Sequence, residues 1–190
     1  MIVMWHLAEM SKDFLPRVGA GIHSLQVVPL TNEIICGMAD SSIKSILISH
    51  DKEIKTFRTI IRGSHTRKRV FTSYDNYICL NGNPGRLQFI NLENGNIFEF
   101  EVMSRNLICG IDSHSPYPHS ITNVSIGSSS MAVVVESTYP SYRYSFIKFY
   151  SHNLSYNQEI TLINKTEHPH EEIVDCVVVG DLYVTYGKNE

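Results

Sequence analysis

The chain has 190 residues, 43% hydrophobic and 18% charged, with 16 Lys and Arg against 19 Asp and Glu and a formal net charge of −3. That length and apolar share predict one folded domain with a sizeable core and exclude a disordered chain. The near balance of charge excludes a generally polybasic nucleic-acid coat, while leaving room for a local basic patch.

Short runs rich in β-branched and aromatic residues, each closed by turn residues, recur from one end to the other. In chain order they predict strands at Ile2–Leu7, Ile22–Val28, Glu33–Met38, Lys44–Ser49 and Ile54–Ile60. Further strands are expected at Arg69–Ser73, Tyr77–Leu80, Arg86–Leu92, Asn96–Val102 and Ser120–Ile126. The last group is Met131–Glu136, Ser145–Tyr150, Glu159–Ile163, Ile173–Val179 and Leu182–Tyr186. Nowhere does a helical stripe of apolar residues stand out, so the fold class is all-β.

Four hexads share a template: Ile2-Val-Met-Trp-His-Leu7, Ser45-Ile-Leu-Ile-Ser-His50, Leu87-Gln-Phe-Ile-Asn-Leu92 and Ile147-Lys-Phe-Tyr-Ser-His152. Each has an aliphatic residue at or near its start, a large apolar pair in the middle and a polar residue after the pair. Their recurrence averages roughly 40–50 residues, the period of four-stranded propeller blades. A lone blade has two apolar faces and buries them by stacking on its neighbours. Met131–Val135 and Cys176–Val179, as near-continuous apolar runs, are expected to be innermost strands buried on both sides, whereas Ile97–Val102 alternates as an outer strand should. Asn94-Gly95 predicts a type I′ hairpin turn, which needs positive φ at both residues. The expected organisation is one partial β-propeller of about four blade equivalents. Residues 1–19 end one blade, 20–61, 68–103 and 119–164 are whole blades, and 170–190 open another. The remaining blades of a larger propeller are expected to lie outside this chain.

The four cysteines, Cys36, Cys79, Cys109 and Cys176, form no C-x-x-C pair, so neither a zinc knuckle nor a disulfide framework is expected, and three read as buried thiols. No targeting segment is visible, and no apolar run nears the ~18 residues that suggest a membrane span, so a soluble intracellular protein is expected. His114, His119, His168 and His170 lack a supporting Cys or carboxylate array, and no metal site is expected. There is no G-x-S-x-G elbow, and Gly19-Ala-Gly21 lacks the rest of a dinucleotide fingerprint. No catalytic residue and no cofactor is therefore expected.

The densest charge cluster is Arg58, Arg62, His65, Arg67, Lys68 and Arg69, between two blades. It has three open readings: a phosphate grip on RNA, a protein contact, or a solvated loop that keeps a sheet edge soluble. The stretch Tyr139-Pro-Ser-Tyr-Arg-Tyr144, with Tyr142 and Arg143 at its heart, has the composition of a contact hot spot. It reads equally as a loop packed on its own blade.

Three segments carry a family resemblance. Phe14-Leu-Pro-Arg-Val-Gly19 followed by Ile22 resembles an F-L-P-R-L-G-x-P-I segment. Leu80-Asn-Gly-Asn-Pro-Gly-Arg-Leu-Gln-Phe89 is similar to L-N-G-x-P-G-x-L-Q-F, and Pro169-His-Glu-Glu-Ile173 to P-H-E-D-x-I. Val3-Met-Trp-His-Leu7 further resembles the V-W-x-L close of a blade's third strand. In this order they resemble the WD-repeat protein 75 family, subunits of the UTP-A subcomplex of the small-subunit processome. The chain departs from generic WD repeats, having His6, Ser49, Asn91 and Ser151 where the Asp of a W-D pair would stand, and no Gly-His dipeptide. The resemblance implies a non-catalytic scaffold in early pre-18S rRNA processing, ribosome biogenesis and polymerase I transcription, resident in the nucleus and nucleolus. It implies other UTP-A subunits and processome proteins as partners, with the 5′ external spacer of the pre-rRNA as a possible one, and neither a membrane nor a small-molecule substrate. A WD-repeat adaptor of a ubiquitin-ligation or chromatin complex is the alternative, and a propeller hydrolase a more distant one.

Overall fold

In a computed structural model, the apolar and alternating runs become antiparallel strands. The structure describes residues 2–14, 19–28, 33–48, 54–61, 71–111, 117–137, 145–156, 158–167, 173–180 and 182–187. The chain divides into two compact units, Met1–Arg69 and Val70–Glu190.

The first unit opens with a hairpin, β1 (Val3–His6) and β2 (Ser11–Phe14), in which Val3 faces Phe14 and Trp5 faces Lys12. Ser11-Lys-Asp-Phe14 was not expected as a strand, because a single apolar residue shows no alternation. Backbone pairing with β1 makes it one, and His6 Nε2 donates to Asp13 Oδ2 across the hairpin at 2.8 Å. A four-stranded meander follows, β3 (Ile22–Val28), β4 (Glu33–Met38), β5 (Ile43–Ile48) and β6 (Ile54–Ile61), in that spatial order. The β4–β5 turn puts Ser41 at φ 63°. It is pinned by Asp40 Oδ1, which accepts from the Ser42 amide at 3.0 Å and the Ser42 hydroxyl at 2.6 Å. Ile2, Cys36, Met38 and Ile46 form the buried centre of this unit.

The second unit holds two four-stranded sheets and one of two strands. The first sheet is β7 (Phe71–Tyr74), β8 (Tyr77–Asn81), β9 (Arg86–Asn91) and β10 (Ile97–Glu101). A one-turn helix, α1 (Arg105–Cys109), closes on Gly110 at φ 70°. Five residues are too few for a 3.6-residue period to show in sequence, so it was not expected. Then come β11 (His119–Ile126), β12 (Ser130–Ser137), β13 (Ser145–Asn153) and β14 (Glu159–Glu167), and finally β15 (Ile173–Val179) with β16 (Leu182–Gly187).

The sheets of this unit stack through their first strands, β11 lying against β7 on one side and β15 on the other. Between the two four-stranded sheets, Cys79, Leu87 and Phe89 meet Met131, Val133, Val135, Phe146 and Tyr150. On the far face, Ala132, Val134 and Ile147 meet Ile173, Cys176 and Val178. Side chains alternate along a strand, so every residue of Met131–Val135 is buried, odd positions in one interface and even in the other. This corrects the expected placement: the apolar run is a second strand, paired on both edges, not an innermost one. Cys176–Val179 does lie on a first strand but is not buried on both sides, since Val177 and Val179 are exposed. Polar bonds tie the sheets at their ends, Tyr74 donating to the Ser128 carbonyl at 2.9 Å and Asn123 Nδ2 to Asp175 Oδ1 at 2.9 Å.

The hexads occupy corresponding places. The described part of that at 45–50, and those at 87–92 and 147–152, fall on β5, β9 and β13, each the third strand of its sheet. The first, at 2–7, falls on β1. The Asn94-Gly95 turn differs from expectation: Gly95 has φ 74° but Asn94 is not in the positive-φ region. Asn91 sets the turn instead, its Oδ1 accepting the amides of Glu93 and Asn94 while its carbonyl accepts that of Gly95. This longer loop satisfies its amides through a side chain, which a two-residue turn does not need.

Candidate interaction surfaces

Of the residues singled out by charge and composition, Arg62, Arg67, Lys68, Arg69, Tyr142 and Arg143 lie outside the described residues. Arg58 is placed by its backbone in β6, paired with Ser45 of β5, and its side chain is outside the description. His114, His168 and His170 also lie outside it. His119 is buried, with Nδ1 donating to the Tyr117 carbonyl at 2.6 Å. No cluster of three His, Cys, Asp or Glu side chains suited to a metal occurs among the described residues.

Three thiols, Cys36, Cys79 and Cys176, are buried, and Cys109 is exposed. Burial pushes the Cys36 and Cys176 thiols up to about 11, and Cys79 well above its usual range. All three are therefore protonated and poor nucleophiles at neutral pH.

The segment Leu80–Phe89, the most specific of the family-like stretches, does structural work. Gly85 has φ 74°, and a Cβ there would lie 2.5 Å from Ile108 Cδ1. Its carbonyl accepts the amides of Val102 at 2.9 Å and Met103 at 3.1 Å, so the β8–β9 turn docks on the connection that leads to α1. Any other residue would be strained there and would displace Ile108. Asn83 Nδ2 donates to Glu99 Oε1 at 2.8 Å, and Arg86 pairs with Glu99 and Glu101 at 3.3 and 3.4 Å.

Two surfaces were not foreseen. On the β1–β2 hairpin Trp5 is 63% and Phe14 59% exposed, and Lys12 Nζ lies 5.4 and 5.5 Å from the two ring centroids. On β15–β16 the face away from the core carries Val177, Val179, Leu182, Val184 and Tyr186, all exposed. The apolar run of β15 reads as buried on both sides, and the exposed Val177 and Val179 differ from that because exposure depends on which neighbours cover a strand. A third feature, Lys148 opposite Lys165 on β13 and β14, was hidden because register across a sheet is not written in either strand alone.

Over 115 residues the chain is 30% identical to human WD repeat-containing protein 75, a match covering 57% of this chain and 13% of that protein. Its counterpart from Xenopus laevis is 28% identical over 111 residues, with the same two shares. This chain resembles WD repeat-containing protein 75. The stacked four-stranded antiparallel sheets and the resemblance to WD repeat-containing protein 75 agree, and the fold is a WD-repeat β-propeller in part. No protein-family model matches. Among solved structures, the N-terminal domain of Nup159 superposes with a TM-score of 0.46 and 12% identity, over 78% of this chain and 34% of that one.

Proposed function

We propose that the protein is a non-catalytic scaffold subunit of the small-subunit processome, acting in early pre-18S rRNA processing, ribosome biogenesis and polymerase I transcription. The observation that carries this reading is the shared sequence with WD repeat-containing protein 75 over 57% of the chain. Sheets stacked face to face present rigid edges and loop ends on which several partners can sit at once. The protein is then nucleolar, bound to other UTP-A subunits and near the 5′ external spacer of the pre-rRNA, with Arg58, Arg62, Arg67, Lys68 and Arg69 as the phosphate-facing group.

Affinity purification of the tagged full-length protein from nucleolar extract tests this. UTP-A subunits and 5′ spacer RNA are expected in the eluate. Their absence, with ubiquitin-ligase or chromatin subunits in their place, would sink the assignment in favour of an adaptor of another complex.

A further inference from the structure

Lys148 of β13 stands directly opposite Lys165 of β14. Phe146 and Tyr150, two residues to either side of Lys148, belong to the core between the two four-stranded sheets. Residues two apart share a face, so Lys148 and its partner Lys165 line the same side, toward the end of β10. Like charges directly opposite one another destabilise an antiparallel pair. Among the described residues, both ammonium groups meet neutral groups only. Lys148 Nζ donates to the Val102 carbonyl, and Lys165 Nζ sits 4.2 Å over the Phe146 ring.

Among the described residues no carboxylate is ion-paired to either lysine. Glu101, whose field reaches Lys148, is paired to Arg86 at 3.4 Å. Lys148 is half-buried, and burial, then the charge of Lys165, holds its ammonium below the ordinary lysine range. Two cations on one face, one of them partly desolvated and neither neutralised, form a local excess of positive charge. A carbonyl oxygen and a ring face relieve it incompletely, because neither carries a formal negative charge that would cancel the two cations.

We propose that Lys148 and Lys165 form a binding site for an oxyanion of the phosphate class. An oxyanion accepts from both ammonium groups at once through separate oxygens and removes their mutual repulsion. Lys148 also reaches the Val102 carbonyl just past β10, so an occupied site joins the two stacked four-stranded sheets and stabilises their interface. The anion is either free inorganic phosphate or a phosphodiester of a nucleic-acid strand, and in either case the site is independent of the processome reading.

The test follows the thermal midpoint of the full chain in sodium phosphate against sodium chloride of equal ionic strength. Titration calorimetry with inorganic phosphate and with a uridine homo-oligonucleotide runs alongside. A saturable rise in midpoint with phosphate is expected in the wild type and should be lost in Lys165→Gln and Lys148→Gln. In chloride, Lys165→Gln should melt no lower than wild type, because the repulsion is gone. Lys165 is exposed, so this variant carries the test even if Lys148→Gln folds poorly. Saturable phosphate binding without oligonucleotide binding identifies the free anion. Tighter oligonucleotide binding, with a log–log salt slope that falls by about one per lysine removed, identifies the phosphodiester. No rise in the wild type, or an equal rise in wild type and Lys165→Gln (an adventitious ion only), overturns the proposal.

Discussion

His152 ends the β13 hexad with its ring edge-on to Tyr74, centroids 5.1 Å apart, and its Nε2 donating to the Gly127 carbonyl at 2.9 Å. Burial lowers its pKa from 6.5, and the bond to Gly127 opposes that shift without cancelling it. The folded state therefore resists protonation more than the unfolded chain does. The stability this group contributes is complete above the unfolded pKa of 6.5 and is lost as pH falls from there through the folded value. The thermal midpoint should hold between pH 8 and 7 and drop below about pH 6.5, and His152→Gln should flatten that part of the profile. Identical profiles for the two proteins would remove His152 as the cause. Sequence shows His152 only as the polar close of a repeat; its burial comes from the Gly127–Ser130 turn, which no local pattern announces. Gly85 is the opposite case, since Gly-Asn-Pro-Gly announces a turn by itself, and only the approach of Ile108 and the two amides was missing.

At the scale of elements, the third strands are the best-determined parts. In β9, Phe89 is fully buried and stacks on Phe98 of β10 with centroids 4.7 Å apart and planes 5° apart. Phe89→Ala should lower the unfolding free energy by about 3–5 kcal/mol. Ile97→Ala, one position from Phe98 but exposed, should stay within about 0.5 kcal/mol. Urea midpoints measure both, and a Phe89→Ala loss below about 1 kcal/mol would mean that the two sheets are not packed as described. The pattern of short alternating or apolar runs made the strands legible, to the residue for the first and second strands Ile22–Val28 and Glu33–Met38 and for Ile173–Val179. It could not reveal β2, whose residues alternate in nothing, nor α1, which is shorter than two turns. It also could not distinguish a first from a second strand, because a continuous apolar run says only that both faces are covered.

For the whole molecule, the repeat of hexads and turns was enough to read four-stranded antiparallel sheets, because three of the four hexads mark the third strand of a sheet. The functional reading rests on resemblance alone. The matched part spans 13% of either relative, and the residues singled out by charge, Arg62, Arg67, Lys68 and Arg69, sit where the structure describes nothing. The purification proposed above therefore belongs to this scale, and it requires the full-length protein, since partners of a scaffold contact surfaces spread over many sheets. The lysine pair belongs to a smaller scale, and its phosphate titration needs only this chain.

Trp5 is the only tryptophan in the 190 residues, and it stands on the solvent side of the β1–β2 hairpin under the Lys12 ammonium. Its emission therefore reports a solvated ring in the first unit. The core of the second unit contains only Phe and Tyr rings, so it can melt while the tryptophan spectrum barely moves. Far-ultraviolet circular dichroism follows the strands themselves, and the lag between the two signals would measure how far the two units unfold as one.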